Sequence, residues 1–572
     1  MIPRTAPEPP APELVAVDDE ADAPAATPGV RFWAGLVVLY CGVSLLIQLL
    51  SGVYRAELSH LPDETAHVMT SLLIHDYAVS GFHQTPRAYA ENYYLHYPKV
   101  AFGMWPPFFH ACTAAGLLLL GPARASVLVV IAVQSALFGL LLAIAVSRLS
   151  RPAFGAAAGL LLLLVPQVLL ATTSVMLDTW VAVLELAALF WIVDYFRTAR
   201  FGSAAAFGLF AGMAMSTKGN GNAIVLVPIF LLLLTRRFAL LRRPGLYVSA
   251  VLSLGLGLPW QWISWRLLRT SVPISRMDAP RVLHLAAGYG GILVHDLGIP
   301  VCAAAVLGLA AGCSGLLRRR WQEWTAADFL RAGLLGLLLA VFLFHCAVPI
   351  PGPEARYMLP AFAALLAFGV EGVRWVAARP ALARQSALIP AVLAVPLLVP
   401  AALAFSIPAR PALGFQEIAG GLAEPKAGPT AILVCSDALG EGALTSEIAF
   451  HDRRPGNIIL RATKVMSMSP WDGMSYQPLT ASPSELESYL ESVPVDVVVV
   501  DLTAAAWPQD RAILLQTMEQ FPARWPRVGE WTASGARHLL IYRRAGSETD
   551  LRPKKVLLHM PFTLHKDLQL HP

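Results

Sequence analysis

The residues best suited to chemistry lie in one stretch, Leu61–His110, LPDETAHVMTSLLIHDYAVSGFHQTPRAYAENYYLHYPKVAFGMWPPFFH. It follows the first hydrophobic run, Phe32–Leu50, and carries an adjacent acidic pair, Asp63 and Glu64, with Lys99, several tyrosines, five histidines and a Trp-Pro-Pro step. Neighbouring residues on a helix point about 100° apart, so the two carboxylates can serve separate roles. One suits a general base for an incoming hydroxyl, the other a binder of acceptor or cation. The same Pro62-Asp63-Glu64-Thr65 string also reads as a plain helix start, where first-turn acids are common. Both readings stay open at this level.

Further charges recur at breaks between apolar runs. Asp178 is a lone acid in TTSVMLDTWVAVLEL, with Glu185 two turns on, and charges at membrane depth are functional by default; an interfacial helix cap is the other reading. Lys218-Gly219-Asn220-Gly221-Asn222 is a polar turn whose amides and ammonium suit a phosphate, although P-loop spacing is absent. Arg356-Tyr357 follows PIPGPEA where a helix re-enters the bilayer; it suits bidentate phosphate contact or interfacial snorkelling. Lys99 in HYPKV could act on the same anion, and Arg266, Arg269, Arg276 and Arg281 suit an anionic ligand or lipid headgroup. His60, His67, His75, His83, His96 and His110 show no two-ligands-per-turn spacing beyond a loose His60/His67 pair, so no metal site is assigned. Six scattered cysteines without CxxC spacing imply neither a disulfide framework nor zinc. Ser436-Asp437-Ala438-Leu439-Gly440-Glu441-Gly442 resembles a ligand-binding strand-to-helix turn, but GxG alone is weak and a domain that only packs over the membrane face fits as well.

Composition says what must position these groups. Of 572 residues 56% are hydrophobic and 14% charged, the balance of a polytopic membrane protein. The net charge of +5 comes from arginines between apolar runs, which argues for topology-setting loops and against nucleic acid. Residues 1–30 are Pro/Ala-rich and acidic and read as a disordered tail without a signal peptide. Candidate spans lie near 32–52, 107–121, 125–147, 153–172, 179–194, 204–217, 222–235, 245–265, 296–317, 329–349, 357–376 and 386–407. Basic clusters at Arg148/Arg151, Arg197/Arg200, Arg236–Arg243, Arg318–Arg320 and Arg374/Arg379/Arg384 all fall inside if the short 107–121 run makes no net crossing. The loop 53–106, Asp178, the Lys218 turn, the Arg-rich connection 266–295 and Arg356 then gather on the outer face. After residue 408, β-branched runs (TAILVCSD, NIILRAT, VDVVVVD, HLLIYRR) alternate with helical patterns, predicting a soluble α/β domain with a largely parallel sheet over about 427–545. The residues 550–572 show no clear pattern. The predicted architecture is therefore a polytopic α-helical membrane protein with about 11–13 transmembrane helices, a membrane domain over 31–407 and an external soluble α/β region over 408–572.

This layout resembles the GT-C class of membrane glycosyltransferases, and within it the bacterial protein O-mannosyltransferase-like enzymes and the aminoarabinose transferases that modify lipid A. Carrying the resemblance, in order over about 32–407, are Asp63-Glu64, YPKVAFGMWPPFF, Leu177-Asp178, Ser216-Thr217-Lys218-Gly219 and Glu354-Ala355-Arg356-Tyr357-Met358-Leu359-Pro360. Family members often carry His-Pro-Pro where this chain has Trp105-Pro106-Pro107. The resemblance implies a polyprenyl-phosphate-linked sugar as donor, a catalytic carboxylate at Asp63 and inversion at the anomeric carbon. On that basis Asp63 is expected as base, with Glu64 beside it and Asp178 as acceptor- or cation-positioning acids, and Lys99, Lys218 and Arg356 as phosphate binders. The acceptor is a lipid, protein or glycan, and a divalent cation is compatible. The implied location is the inner membrane, with site and soluble domain on the periplasmic side. The rival reading is a transporter or flippase for a lipid-linked or anionic substrate; it expects charges near mid-bilayer and repeated halves.

Overall fold

A computed structural model describes residues 28–58, 60–268, 276–349, 352–377, 407–423, 428–468, 476–504, 508–532, 537–547, 549–550, 552–560 and 566–570. The first 27 residues, Arg269 and nearly all of the 386–407 run lie outside them. The other apolar runs form helices, the conformation that satisfies backbone N–H and C=O groups within a single segment in lipid. In order these are α1 (Val30–Ser51), α4 (Phe108–Leu120), α5 (Arg124–Leu149), α6 (Pro152–Leu163), α7 (Pro166–Thr172), α8 (Asp178–Thr198), α9 (Phe201–Met215), α10 (Val227–Thr235), α11 (Pro244–Leu268), α13 (Ile299–Arg318), α14 (Ala326–Ala347) and α15 (Leu359–Ala377). The polar loop supplies α2 (Pro62–Val79) and α3 (Pro86–His96). Among the described residues seven helices are long and apolar enough to cross a membrane, or eight with α6 and α7 taken as one broken span, and three shorter apolar helices accompany them. The protein is a polytopic α-helical membrane protein.

Two expectations need correction. The run 153–172 is not one rod: α6 and α7 meet at a 70° bend. Pro166 lacks an N–H and its ring crowds the preceding turn, so α6 stops before it and α7 restarts with proline in its first turn. The Arg-rich connection 266–295 also contains a helix, α12 (Ala279–Leu297), capped by Asp278 accepting from Arg281 N at 2.9 Å. Against α13, α15 comes close enough that a Cβ on Gly308 or Gly372 would run into the facing backbone, so glycine is required at that crossing.

The soluble region opens with α16 (Phe415–Leu422), β1 (Ala431–Cys435), α17 (Ala438–His451), β2 (Ile458–Arg461) and α18 (Ala462–Val465). It continues with β3 (Ser467–Met468), β4 (Gln477–Pro478), α19 (Pro483–Ser492), β5 (Val497–Asp501), α20 (Pro508–Gln520), β6 (Arg527–Thr532) and β7 (His538–Arg543), and closes with the hairpin β8 (Leu557–Met560) and β9 (Lys566–Gln569). The main sheet runs β2-β1-β5-β7-β6. Only β2, β1 and β5 are parallel, with β7 and β6 added antiparallel, so the sheet is mixed. β6 (RVGEWT) escaped the sequence reading because it is a largely exposed edge with little apolar alternation.

The polar loop and this sheet share one apolar core: Leu72, Tyr93, Tyr97 and Val100 pack in the same cluster as Leu433, Leu444, Ile459 and Val498. Ion pairs and hydrogen bonds fasten the join. Arg454 reaches Asp76 at 2.7 Å, Arg124 reaches Glu447 at 2.8 Å, and Tyr97 donates to Asp452 at 2.8 Å. Buried Glu57 accepts from Leu413 N, Gly414 N and Gln416 N at 2.7–2.9 Å, which fixes the chain entering α16.

Candidate active site

The acidic pair opens α2, with Leu61 as N-cap and Pro62 in the first turn. The two carboxylates have different surroundings. Glu64 is 1% exposed. Its Oε2 accepts from His60 N at 2.6 Å and Leu61 N at 3.1 Å, while Oε1 accepts from Val175 N at 2.9 Å. Burial pushes its pKa up to about 7, against the opposing pull of the Val175 and Leu61 amides. Glu64 thus ties the start of α2 to the segment that leads into α8. Asp63 instead has a side chain 23% exposed, with Arg356 Nη1 at 4.0 Å from Oδ2.

Asp178 stands in the first turn of α8, side chain 1% exposed. Both its oxygens accept from Lys218 Nζ, at 2.9 and 3.0 Å, and Oδ1 also accepts from Asn220 Nδ2 at 3.2 Å. The polar turn after α9 therefore folds back onto the start of α8. Lys218 Nζ also lies 4.9 Å from the centre of the Tyr357 ring, which stacks on His345. Arg356 sits in the 3-10 turn Ala355–Met358 that opens α15; Nη2 pairs with Glu354 at 2.5 Å, and Nε is buried without a partner among the described residues.

A cavity of about 260 Å³ is lined by Leu61, Ser174, Met176, Asp178, Glu354 and Arg356, among others. Asp178 and Arg356 line this cavity; Lys218 is joined to it through Asp178, Asp63 through Arg356, and Glu64 holds the backbone of Leu61 and Val175 beside it. Lys99 stands apart from that group, on the soluble side. Its Nζ donates to Ala438 O at 3.4 Å, and its charged neighbours are Arg461, Glu441, Asp63 and Lys464. Of the outer arginines, Arg266 lies over the Trp262 ring and Arg281 opens α12.

Sequence reasoning gave no role to Glu354, read Tyr357 only as an interfacial aromatic beside Arg356, and weighed His67 and His110 only as metal ligands. His67 Nδ1 and His110 Nε2 are 3.2 Å apart, both fully buried, and the His67 ring packs edge-on against Trp105. Burial holds the His67 imidazole well below its usual pKa, so it is neutral. The signal was the Trp105-Pro106-Pro107 step itself: the tryptophan at the variant position packs directly on a buried histidine. Among the described residues no three His, Cys, Asp or Glu side chains converge as metal ligands.

This arrangement of helices and loop has counterparts among solved structures. ArnT from Cupriavidus metallidurans in the apo state superposes with a TM-score of 0.57 at 18% identity, over 89% of this chain and 98% of that one. The chain has the GT-C fold. The same ArnT bound to undecaprenyl phosphate matches with a TM-score of 0.56 at 17% identity, over 90% and 99% of the two chains. Archaeoglobus fulgidus oligosaccharyltransferase matches with a TM-score of 0.54 at 12% identity, over 82% and 70%. No family profile and no characterised protein matches by sequence. In this GT-C chain the first turn of α2 is tied to the segment that leads into α8 and faces the turn that opens α15, while the turn after α9 folds onto the start of α8.

Proposed function

We propose that this protein is an inverting glycosyltransferase that moves a sugar from a polyprenyl-phosphate carrier to a hydroxyl or phosphate acceptor at the outer face of the cytoplasmic membrane. The observation that carries the reading is the pairing of a half-buried carboxylate, Asp63, with a guanidinium 4.0 Å away, that of Arg356, which lines the cavity. Two supports stand beside it: the GT-C fold, and the undecaprenyl phosphate bound by the Cupriavidus metallidurans ArnT.

The chemistry follows from the groups. A sugar on a phosphate already has a good leaving group, so no general acid is needed. Asp63 takes the proton of the acceptor as its oxygen attacks the anomeric carbon, a contribution of typically 10²–10⁴-fold. As the sugar–phosphate bond breaks, negative charge grows on the carrier phosphate, and fixed cations in a water-poor site stabilise it. Arg356 supplies one such cation in this reading, supported by its buried Nε having no partner among the described residues. Lys218 adds a second charge held in place by Asp178. Glu64 positions the acid beside it by fastening the first turn of α2 to Val175. The prenyl chain lies among the apolar helices.

The test is transfer of radiolabelled sugar from synthetic polyprenyl-phosphate sugars by the purified protein, wild type against Asp63→Asn. Label leaving the donor only when the carboxylate is intact supports the reading. No turnover with any donor, together with flipping of intact lipid in liposomes, replaces it with a transporter.

A further inference from the structure

Four arginines are buried among the described residues, and three of them are accounted for. Arg461 pairs with Glu441, and Arg544 with Asp496 and Asp550. Arg237 donates to the Phe196 and Arg197 carbonyls at the end of α8, where the helix dipole is negative, and lies over the Trp321 ring. Arg410 is the exception. It is 8% exposed, Nη2 donates to Thr173 Oγ1 at 2.9 Å, and both Nε and Nη1 are buried without a partner among the described residues.

A guanidinium in that state is costly. A buried donor without a partner is unfavourable, and a buried charge without a counter-charge more so. Burial alone draws the Arg410 pKa down, to about 10. The neighbouring sequence offers no remedy, because between Glu371 and Glu417 the chain holds neither Asp nor Glu. What the side chain lacks is an anion, and a water, carrying no charge, offsets little of the cost.

Its place says which anion. Arg410 N donates to Ser51 O at 2.8 Å, so the residue lies between the end of α1 nearest the soluble region and Thr173, which closes α7. Leu49 and Leu50, just before Ser51, are 63% and 64% exposed, the apolar surface of a membrane helix that acyl chains cover. The guanidinium therefore stands where hydrocarbon gives way to headgroups, and basic pockets at that level take lipid phosphates. Its cover is thin: residues 407–413 form neither helix nor strand, and Ala409, Pro411 and Ala412 among them are exposed.

We propose that Arg410, with Thr173 beside it, binds the phosphate of a membrane lipid whose chains lie along the exposed end of α1. Guanidinium N–H groups suit phosphate oxygens. Thr173 precedes Ser174, which lines the cavity, and Val175, whose N–H holds Glu64, so a lipid bound here braces the segment behind the acidic pair. The site does not rest on the glycosyltransferase reading, since it is defined by lipid binding without any sugar donor. An ordinary phospholipid and a polyprenyl-phosphate carrier share the chemistry.

The experiment is thermal unfolding of the purified full-length protein in uncharged detergent, titrated with dioleoylphosphatidylglycerol, for wild type, Arg410→Gln and Arg410→Lys. A lipid that binds the folded state raises the unfolding temperature by mass action. The expected result is a saturable rise in wild type whose midpoint moves to about tenfold more lipid in Arg410→Gln, the size of one lost charge-assisted hydrogen bond. Arg410→Lys keeps the charge, guards against a glutamine variant that does not fold, and should move the midpoint the same way by less. Without lipid, Arg410→Gln should unfold no earlier than wild type, because the charge it removes has no partner there. A glutamine variant that unfolds early without lipid, yet gains as much from it as wild type, overturns the proposal and leaves Arg410 a structural brace. One midpoint for all three chains overturns it too, as does no rise in wild type. Repeating the titration with undecaprenyl phosphate separates the sources. An Arg410-dependent midpoint below that of phosphatidylglycerol assigns the site to the carrier, and one equal or higher assigns it to the surrounding phospholipid. Arg410-dependent binding without sugar transfer from any donor leaves the site standing and removes the transferase reading. Sugar transfer without Arg410-dependent binding does the reverse.

Discussion

Two helix starts in this molecule share one local grammar and have opposite fates. α2 begins Pro62-Asp63-Glu64 and α8 begins Asp178-Thr179, each with an acid in its first turn where the helix dipole favours it. At α8 the carboxylate is sealed in, and Lys218 and Asn220 occupy its oxygens. At α2 the pair has divided the work. Glu64 is spent on three backbone amides, whereas Asp63 keeps a partly open side chain with the Arg356 guanidinium at a loose 4.0 Å. An acid that will accept a proton from a substrate must have an oxygen left for it, so availability separates these carboxylates, and sequence position does not.

Replacing Asp63 with Asn should make the largest difference. Transfer falls by about 10²–10⁴-fold while the unfolding temperature stays near that of wild type. Asp178→Asn should act mainly on the fold, because it strands Lys218 in a buried place. Breaking one side of a buried pair removes about 3–5 kcal/mol, to be read as early unfolding in detergent. Adding Lys218→Met to Asp178→Asn recovers stability without recovering transfer. If Asp178→Asn unfolds like wild type and loses transfer alone, the contrast between the two helix starts is wrong.

That contrast shows what a sequence discloses. Asp63, Lys218 and Arg356 could be picked out because each stands beside a break in apolar sequence, and the order of such breaks survives where identity to known structures is below one fifth. Their pairing could not. Lys218 meets Asp178 across 40 residues, and Glu64 meets Val175 across 111. No local pattern encodes a partner at that distance, so Glu64 looked as available as Asp63. The bend at Pro166 was legible in principle from proline's missing N–H, but the apolar run across it is long enough to pass for a single span.

Glu64 gives the next sharpening. Its folded pKa is raised from 4.5 to about 7, so the native state holds this proton more tightly than the unfolded chain does. The associated stability is fully present below pH 4.5 and is lost as pH rises through about 7, on the order of 3 kcal/mol in all. Glu64→Gln should flatten that part of the stability–pH curve. Transfer should fall less than in Asp63→Asn, because the amide oxygen still accepts at one of the two anchoring points. A curve of unchanged slope in the variant would mean that Glu64 is ionised and solvated, and so as free as its neighbour.

The smallest effect is expected where the soluble domain touches α2. In Gly442→Ala the added methyl meets Thr65 Oγ1 at 2.5 Å, and Lys99 Cε and Nζ at 3.0 and 3.4 Å. Lys99 can swing its flexible end aside, but Thr65 is buried in the first turns of α2 with little room to move. α17 should therefore ease back slightly, with a loss of about 1 kcal/mol at the overpacked contact. Because Thr65 lies two residues from Asp63, transfer should fall only a few-fold. Trimming the collision with Thr65→Ala in the same chain should restore it. Full restoration would show that α17 acts on Asp63 through steric contact alone. A deficit persisting in the double variant would point to the displaced Lys99.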